Sequence, residues 1–549
     1  DGLYDRIGRG PVYCDPSEPS NIETFQRRGI TAKKADNSVT PGIQHVSSVS
    51  DCLYILSHCQ SLINELNQYR GNEAPFSQEE IERHRDCPAD SWTCHNTDWY
   101  GAALQDFSAQ TEANASITGG GETLRYRTSI RGLTKEGIAT NTATRYNQLG
   151  LRSNFDGDLT ESLSLSLNLH GRWENRDYPT TTVASHWGAI RTLNPTIPAR
   201  WPNGKPGPDV EDGNNPVVDA SGKTGFDDRH DYYFQSNLSL EAEIPAVDGW
   251  TAEGTVAYDF NSLSREEFEK PWALFFWDGE SRDDSGTPIL NKAEKGVPEP
   301  RLTESRSSQS DVLFRVTTSY EKTVGSHNGT LLLGSEFQQA VGDSIMAFRR
   351  FFPTDQLPEL FAGGNSERNN FGTSSKSKRL NFFGRANYNY QQKYILELVA
   401  RYDGSYIFPA GDRFGFFPSA SVGWRLAQED WFNDFSGDVF DRLKLRASYG
   451  QVGNDRVEPY QFLRTFQLSG QVGFGDGLGS TISQTRVPNP SITWEVATQF
   501  DVGLEGAVLD NRLSFNLTYF NHFRDDILWF RSAAIPETAG FSLPRENIG

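Results

Sequence analysis

Long apolar runs are missing from this 549-residue chain; none approaches the roughly 18 residues that a membrane-spanning helix needs. With a mean hydropathy of −0.59, that absence excludes a helical membrane protein. Positive charge is also short: 52 Lys and Arg stand against 72 Asp and Glu, a formal net charge of −20. Non-specific nucleic-acid binding depends on clustered cations, so this balance argues against a nucleic-acid partner. Cysteine stops at residue 94, with Cys14, Cys52, Cys59, Cys87 and Cys94 as the full set. An odd number gathered at one end is not a disulfide framework spread through a fold. Asp1 to Gly10 lacks the apolar stretch of a signal peptide, so the chain reads as processed or as a piece of something longer. What it has in quantity is aromatic: 35 Phe, 20 Tyr and 12 Trp make 12% of a hydrophilic sequence. For a soluble enzyme that pairing is odd.

From about residue 108 the dominant period is two. Leu163, Leu165, Leu167 and Leu169 alternate with polar residues, and Gly171 and Trp173 continue the same face. The pattern returns at Val312, Phe314, Val316 and Tyr320, and at Tyr394, Leu396, Leu398, Ala400 and Tyr402. It returns again at Leu443, Leu445, Ala447 and Tyr449, and at Leu513, Phe515, Leu517 and Tyr519. About 14 such segments, many of roughly 10–13 residues, match the length a tilted strand needs to cross a bilayer. Short links alternate with long ones. Gly119–Gly121, Asp156–Asp158, Val247–Gly249, the stretch around Gly325, Gln391–Gln392 and Asp510–Asn511 read as tight turns. Between them lie long excursions near 174–229, 263–304, 342–375 and 451–490. In an up-and-down antiparallel sheet, that alternation puts short turns at one end and long loops at the other, as in outer-membrane barrels. A soluble sandwich or propeller has shorter strands and no such alternation. Tyr388 with Tyr390, Tyr402 with Tyr406, Phe416 with Phe417 and Trp529 with Phe530 cluster at segment ends. That clustering is expected of an aromatic girdle at the membrane interface.

No catalytic motif survives inspection, and no cofactor is implied. Gly222-Lys223-Thr224 lacks the upstream glycine of a phosphate loop, Val217 standing in its place. The series Gly473, Gly475, Gly477 and Gly479 has the wrong spacing for a dinucleotide turn and reads as a flexible loop. His84, Cys87, Cys94 and His95 are close enough for zinc but miss the standard ligand spacing; a Cys87–Cys94 disulfide or a chance grouping accounts for them as well. Asp209, Glu211 and Asp212, and Asp227, Asp228 and Asp231, do not follow the EF-hand order and read as solvated loop charge rather than Ca²⁺ sites. The binding candidates are loop aromatics, Trp187, Trp201, Trp272, Phe275, Phe276 and Trp277. Flat rings stack on sugar C–H faces or on apolar peptide side chains, although loop aromatics can equally pack the loops against one another.

Three blocks stand out: Pro409 to Ser419 with Gly423-Trp424, Leu443 to Gly450 with Gly453-Asn454, and Asn489 to Leu504 followed by Asn511-Arg-Leu. In this order they resemble the barrel segments of SusC/RagA-type TonB-dependent outer-membrane transporters. Asn96 to Trp99, Ser116 to Glu122 with Tyr126, and Glu136 to Ile138 look like the first barrel hairpins of that family. The resemblance implies an all-β, transmembrane, antiparallel up-and-down barrel of about 22 strands with a plugged lumen. This chain supplies only part of that set, with a small helical N-terminal segment. It implies a remnant of the plug's end over 1–42, a helical connecting segment over 43–99, and barrel strands with long extracellular loops over 100–549. Helices are expected from Ser50 to Asn67 and after a capping box at Ser77 to Glu80. The implied location is a Gram-negative outer membrane. The implied activity is energy-dependent import of an oligosaccharide or peptide, without covalent chemistry. The implied partners are a SusD-like surface lipoprotein, outer-membrane lipid, and a TonB-ExbB-ExbD complex acting through a plug that the sequence does not display. A secreted glycan-binding adhesin, or a truncated transporter that does not act alone, is the alternative.

Overall fold

The computed structural model describes Val12–Cys14, Ala32–Lys34 and residues 87–548, apart from 89, 141, 210–213, 438, 476 and 531–542. The chain divides into two units, Asp1–Pro88 and Ala89–Gly549. In the first, Val12–Cys14 and Ala32–Lys34 pair in parallel. The helices expected near Ser50–Asn67 and Ser77–Glu80 lie outside the described residues.

The second unit is built on one antiparallel meander of fourteen strands, each paired with its sequence neighbours in the sheet. These are β1 (Gln110–Gly120), β2 (Leu124–Glu136), β3 (Arg145–Thr160), β4 (Leu163–Tyr178) and β5 (Gly225–Glu243). Next come β6 (Trp250–Glu269), β7 (Arg301–Val324), β8 (His327–Arg350), β9 (Asn369–Tyr390) and β10 (Tyr394–Ser405). β11 (Phe414–Arg425), β12 (Phe440–Asn454), β13 (Glu495–Val508) and β14 (Leu513–Asp525) complete it. Among the described residues the sheet does not close, so β1 and β14 are its two edges.

Registration turns the period-two pattern into two unlike faces. One rung runs Leu167, Leu238, Val256, Phe314, Phe337 and Leu380 across β4–β9. The adjacent rung runs Ser166, Ser239, Thr255, Arg315, Glu336, Asn381 and Asp403 across β4–β10. A slip of one residue would exchange the two faces, so burial of either one fixes the register. In a barrel set in lipid the apolar face is the outer one and the polar face lines the lumen.

Seven links, 121–123, 161–162, 244–249, 325–326, 391–393, 426–439 and 509–512, share one end. Positive φ values at Gly249 (82°), Gly325 (59°), Gln391 (52°), Gln392 (57°), Asp510 (56°) and Asn511 (61°) mark the expected turns. Asp156–Asp158 is an exception: it lies inside β3, beside a bulge between Asp158 and Thr160, and the chain reverses at 161–162 instead. The opposite end carries the long loops.

Strands also outrun their expected length. β7 and β8 have 24 residues each, against the roughly 9–11 that cross a bilayer. Backbone pairing continues after the apolar pattern has ended: Asp177, Asp228, Glu266 and Glu304 occupy partnered positions on the outer face of β4–β7. The ladder thus projects beyond lipid, and three loops shrink, to 179–224, 270–300 and 351–368, while the fourth shifts to 455–494.

Candidate functional site: the long-loop end of the lumen

The inner wall beneath the long loops is an interlocked array of charge. Arg172 Nε lies 2.8 Å from Glu174, and Arg176 pairs with both Glu174 and Asp231. Arg229 and Arg265 both donate to Asp227, at 2.7 Å and 2.6 Å, and Arg301 donates to Glu269 at 2.5 Å. Glu174, Asp227 and Asp231 are buried. Asp227 and Asp231 are therefore not the solvated loop charges the sequence suggests. Strand extension carries them onto the wall, where each carboxylate accepts from guanidinium groups on its own or neighbouring strands. Asp209 pairs with Lys295, while Glu211 and Asp212 lie outside the described residues.

Nearer the other edge of the sheet, the blocks that carried the family resemblance meet in a packed knot. Phe417, on the inner face of β11, sits with Ile407, Phe408, Ile492, Trp494 and Leu528 in one buried cluster. A Cβ on Gly453 would lie 2.0 Å from the Phe417 ring, and one on Gly415 would lie 2.4 Å from it. These glycines are the space in which that ring sits. Trp494 Nε1 donates to the Arg413 carbonyl at 3.3 Å, and Asp455 accepts from Arg379 and from Ser405 Oγ, both at 2.8 Å. The expected girdle pair Phe416/Phe417 is thus divided. Phe416 is exposed on the outer face, while Phe417 is core, with Tyr406 packed against its cluster.

The loop aromatics take distinct places. Trp201 is 6% exposed; its Nε1 donates to the Phe275 carbonyl at 2.7 Å, joining loop 179–224 to loop 270–300. Trp92 stacks on it at 5.6 Å, and His95 meets it edge-on. Strand Trp272–Phe276 pairs with Asn291–Lys295 as a hairpin, which places Trp272, Phe275 and Phe276 on one element. Lys205 Nζ lies 4.6 Å over the Phe275 ring. Trp277 follows directly; its Nε1 donates to the Ser281 carbonyl at 2.9 Å and Arg282 lies 5.0 Å over the ring. The Ser281 hydroxyl and the backbone N–H groups of Ser281 and Glu280 hold the Asp278 carboxyl below the usual range and set that turn. Phe276 is 44% exposed. Trp187 stands elsewhere, half-buried on helix α1 (Val183–Thr192).

Sequence reading missed the groups that give loop 179–224 its shape. His186 Nδ1 lies 2.7 Å from Asp219 Oδ1, both buried. Asn215 caps the short helix α2 (Pro216–Asp219) and donates to the carbonyls of Ala199 and Gly207. Trp99, Ala189, Leu193 and Val217 form the loop's core. The one local signal was Asn215-Pro216, a cap followed by proline in the first helical turn. Cys87 and Cys94 are both disulfide-bonded, which removes the thiolates a zinc site would need. His84 lies outside the described residues. The glycine series at 473–479 falls in a hairpin, Thr465–Phe474 with Gly477–Arg486, rather than in a flexible loop.

A long meander with an apolar outer face, an ion-paired inner face, and turns and loops sorted to opposite ends is part of the strand set of an outer-membrane β-barrel. The family described as TonB dependent receptor-like, beta-barrel matches residues 272–549, half of the chain, and the chain belongs to that family. It carries strands of a TonB-dependent receptor barrel of the outer membrane, and its relatives and fold neighbours include SusC and RagAB. TonB-dependent receptor P3 of Formosa agariphila is 27% identical over 522 residues, covering 95% of this chain and 48% of that protein. TonB-dependent receptor SusC of Bacteroides thetaiotaomicron is 22% identical over 554 residues, covering 95% of this chain and 50% of that protein. The chain thus spans about half the length of the curated relatives it matches. The RagAB peptide importer in its open-open state is similar in fold, with a TM-score of 0.68 at 20% identity over 88% of this chain and 52% of that one. These relatives are named as receptors and an importer, not as enzymes.

Proposed function

We propose that the chain is the barrel portion of a transporter that imports an oligomeric nutrient, a glycan or a peptide, across the outer membrane. The reading rests on one observation above the rest: the polar, ion-paired wall faces inward directly below the loop end. A path for a hydrated oligomer needs such a wall; a surface adhesin does not. The SusC and RagAB likenesses support a SusD-like lipoprotein lid over the loops and a TonB-ExbB-ExbD complex supplying energy. Binding would fall to the loop aromatics: Trp187 on helix α1 stands apart, and Trp201, Trp272, Phe275, Phe276 and Trp277 take two roles. Trp201 is buried and Trp272 and Phe275 half-buried, so they hold the hairpin and its neighbouring loop in place. Phe276 and Trp277 stand at its open tip, where a ring fixed by hydrogen bonds is a preorganised stacking platform.

The test is uptake of labelled oligosaccharides and oligopeptides by cells carrying the full-length protein, with and without TonB. Uptake of one class that needs both the protein and TonB is expected. The double variant Phe276→Ala/Trp277→Ala should weaken ligand binding about tenfold, with normal amounts of heat-modifiable barrel, consistent with the loss of one or two stacking contacts. Uptake unaffected by deletion of the gene would remove the transport reading.

A further inference from the structure

The link between β11 and β12 is the longest at the turn end, and it holds helix α3 (Asp430–Ser436). That helix buries none of its residues. Trp431 is 57% exposed and Phe435 86% exposed; four residues apart, they share one face. Asp430 and Asp434 form a second row four residues apart, one position round the helix. Val439, just beyond, is exposed as well. In water this arrangement would be unfavourable.

The helix is also fixed in place, and on a particular side of the wall. Trp424 and Phe440 belong to the outer, apolar face, where Trp424 partners Tyr394 and Leu445, and Phe440 partners Val508. Ring contacts run from one to the other through the helix: Trp424 to Trp431 at 6.2 Å, Trp431 to Phe432 at 5.8 Å, Phe432 to Phe440 at 5.9 Å. They continue away from the helix through Trp424 to Tyr394, Tyr394 to Tyr390, and Tyr390 to His327, at 6.2, 6.2 and 4.6 Å. This is an unbroken aromatic row along the turn-end rim of β8–β12, and the helix is part of it. Glu429 ties the helix start to the wall, accepting from Trp424 Nε1 at 3.1 Å and from Lys393 Nζ at 3.3 Å.

We propose that helix α3 lies in the membrane–water interface of the periplasmic leaflet as an in-plane anchor. Trp431 and Phe435 enter the headgroup–acyl boundary, and Asp430 and Asp434 face the periplasm. The occupant of the exposed face is zwitterionic phospholipid. Three observations choose it: the face is continuous with the lipid-facing aromatic row, it lies at the short-turn end that barrels turn to the periplasm, and its own charge is negative. Anionic headgroups would repel two carboxylates at this depth.

The experiment places a photoreactive benzophenone amino acid at Phe435, at Asp434 or at Phe382, in the full-length protein in native outer membrane. Phe382 is an exposed residue of the outer apolar face and reports lipid contact of the barrel itself. Irradiation followed by mass spectrometry should give phospholipid adducts at 435 and 382, with at least fivefold less at 434. Lipid adducts at 382 but none at 435, or a protein adduct at 435, overturn the anchor while leaving the barrel intact. Absence of lipid at both 382 and 435 overturns the anchor together with the membrane-barrel reading on which it rests.

Discussion

Gly453 shows how a sequence motif can be a steric requirement rather than a chemical one. It sits on β12 where the Phe417 ring of β11 crosses, and Phe417 is 5% exposed and held by Trp494 and Phe408. A methyl group 2.0 Å from that ring cannot be accommodated by moving a free side-chain end. Gly453→Ala should destabilise the loop end by about 1–3 kcal/mol, the usual consequence of overpacking. Gly171, which has nothing within 4 Å of its would-be Cβ, is the matched control. Band shift on unheated gels should show less assembled barrel for G453A and normal assembly for G171A. Gly453-Asn454 could be recognised in the sequence, but not the reason for it. The ring it accommodates is 36 positions away and points inward, against the girdle role that Phe416-Phe417 suggests.

Among elements, the β11–β12 link is where charge governs local order. The Tyr394 hydroxyl first, then the Trp424 indole and Lys393, hold the Glu429 carboxyl below the usual glutamate range. A carboxyl whose pKa is depressed on folding contributes stability above its unfolded value, and that stability is lost as pH falls through the depressed one. Hydrogen-exchange protection of residues 426–437, corrected for intrinsic exchange, should therefore hold from pH 7 to pH 5. It should collapse only below the ordinary range of glutamate. Glu429→Gln should lower protection at pH 7 and abolish the pH dependence. Protection that fell between pH 7 and pH 6 would show that another group controls the link. Strand ends and loop interiors were the least legible parts of this chain. Period two announced the strands, yet it disappears where β4–β9 leave the lipid, because a strand end in water needs no apolar face. The loops' cores, such as Trp99 with Ala189, Leu193 and Val217, join segments about a hundred positions apart and leave no periodic trace.

Over the whole molecule the sorting of residues between two solvents dominates. Leu398 lies midway along β10, exposed on the apolar face, and its neighbour Val399 faces the lumen beside Arg385. Leu398→Arg should cost about 2–4 kcal/mol and Val399→Arg far less, because only the first puts a cation at mid-bilayer. Unfolding from lipid vesicles would measure the difference, and equal effects would contradict the assignment of faces. This same sorting accounts for a hydrophilic chain being a membrane protein. Alternate residues meet lipid while the other half meets a wet lumen and long polar loops, so the average hydropathy is low.

The sequence by itself determined the strands, the alternation of short and long links, and the presence of an apolar face. Each is a local property, written within ten or so consecutive residues. Only the tertiary structure decided which charges are paired and which rings are free. Asp227 has its partners because β6 brings Arg265 beside it, and Trp201 is buried because a loop 74 positions further on offers its carbonyl. Those outcomes depend on register between distant strands, and period two is the same whichever strand comes alongside.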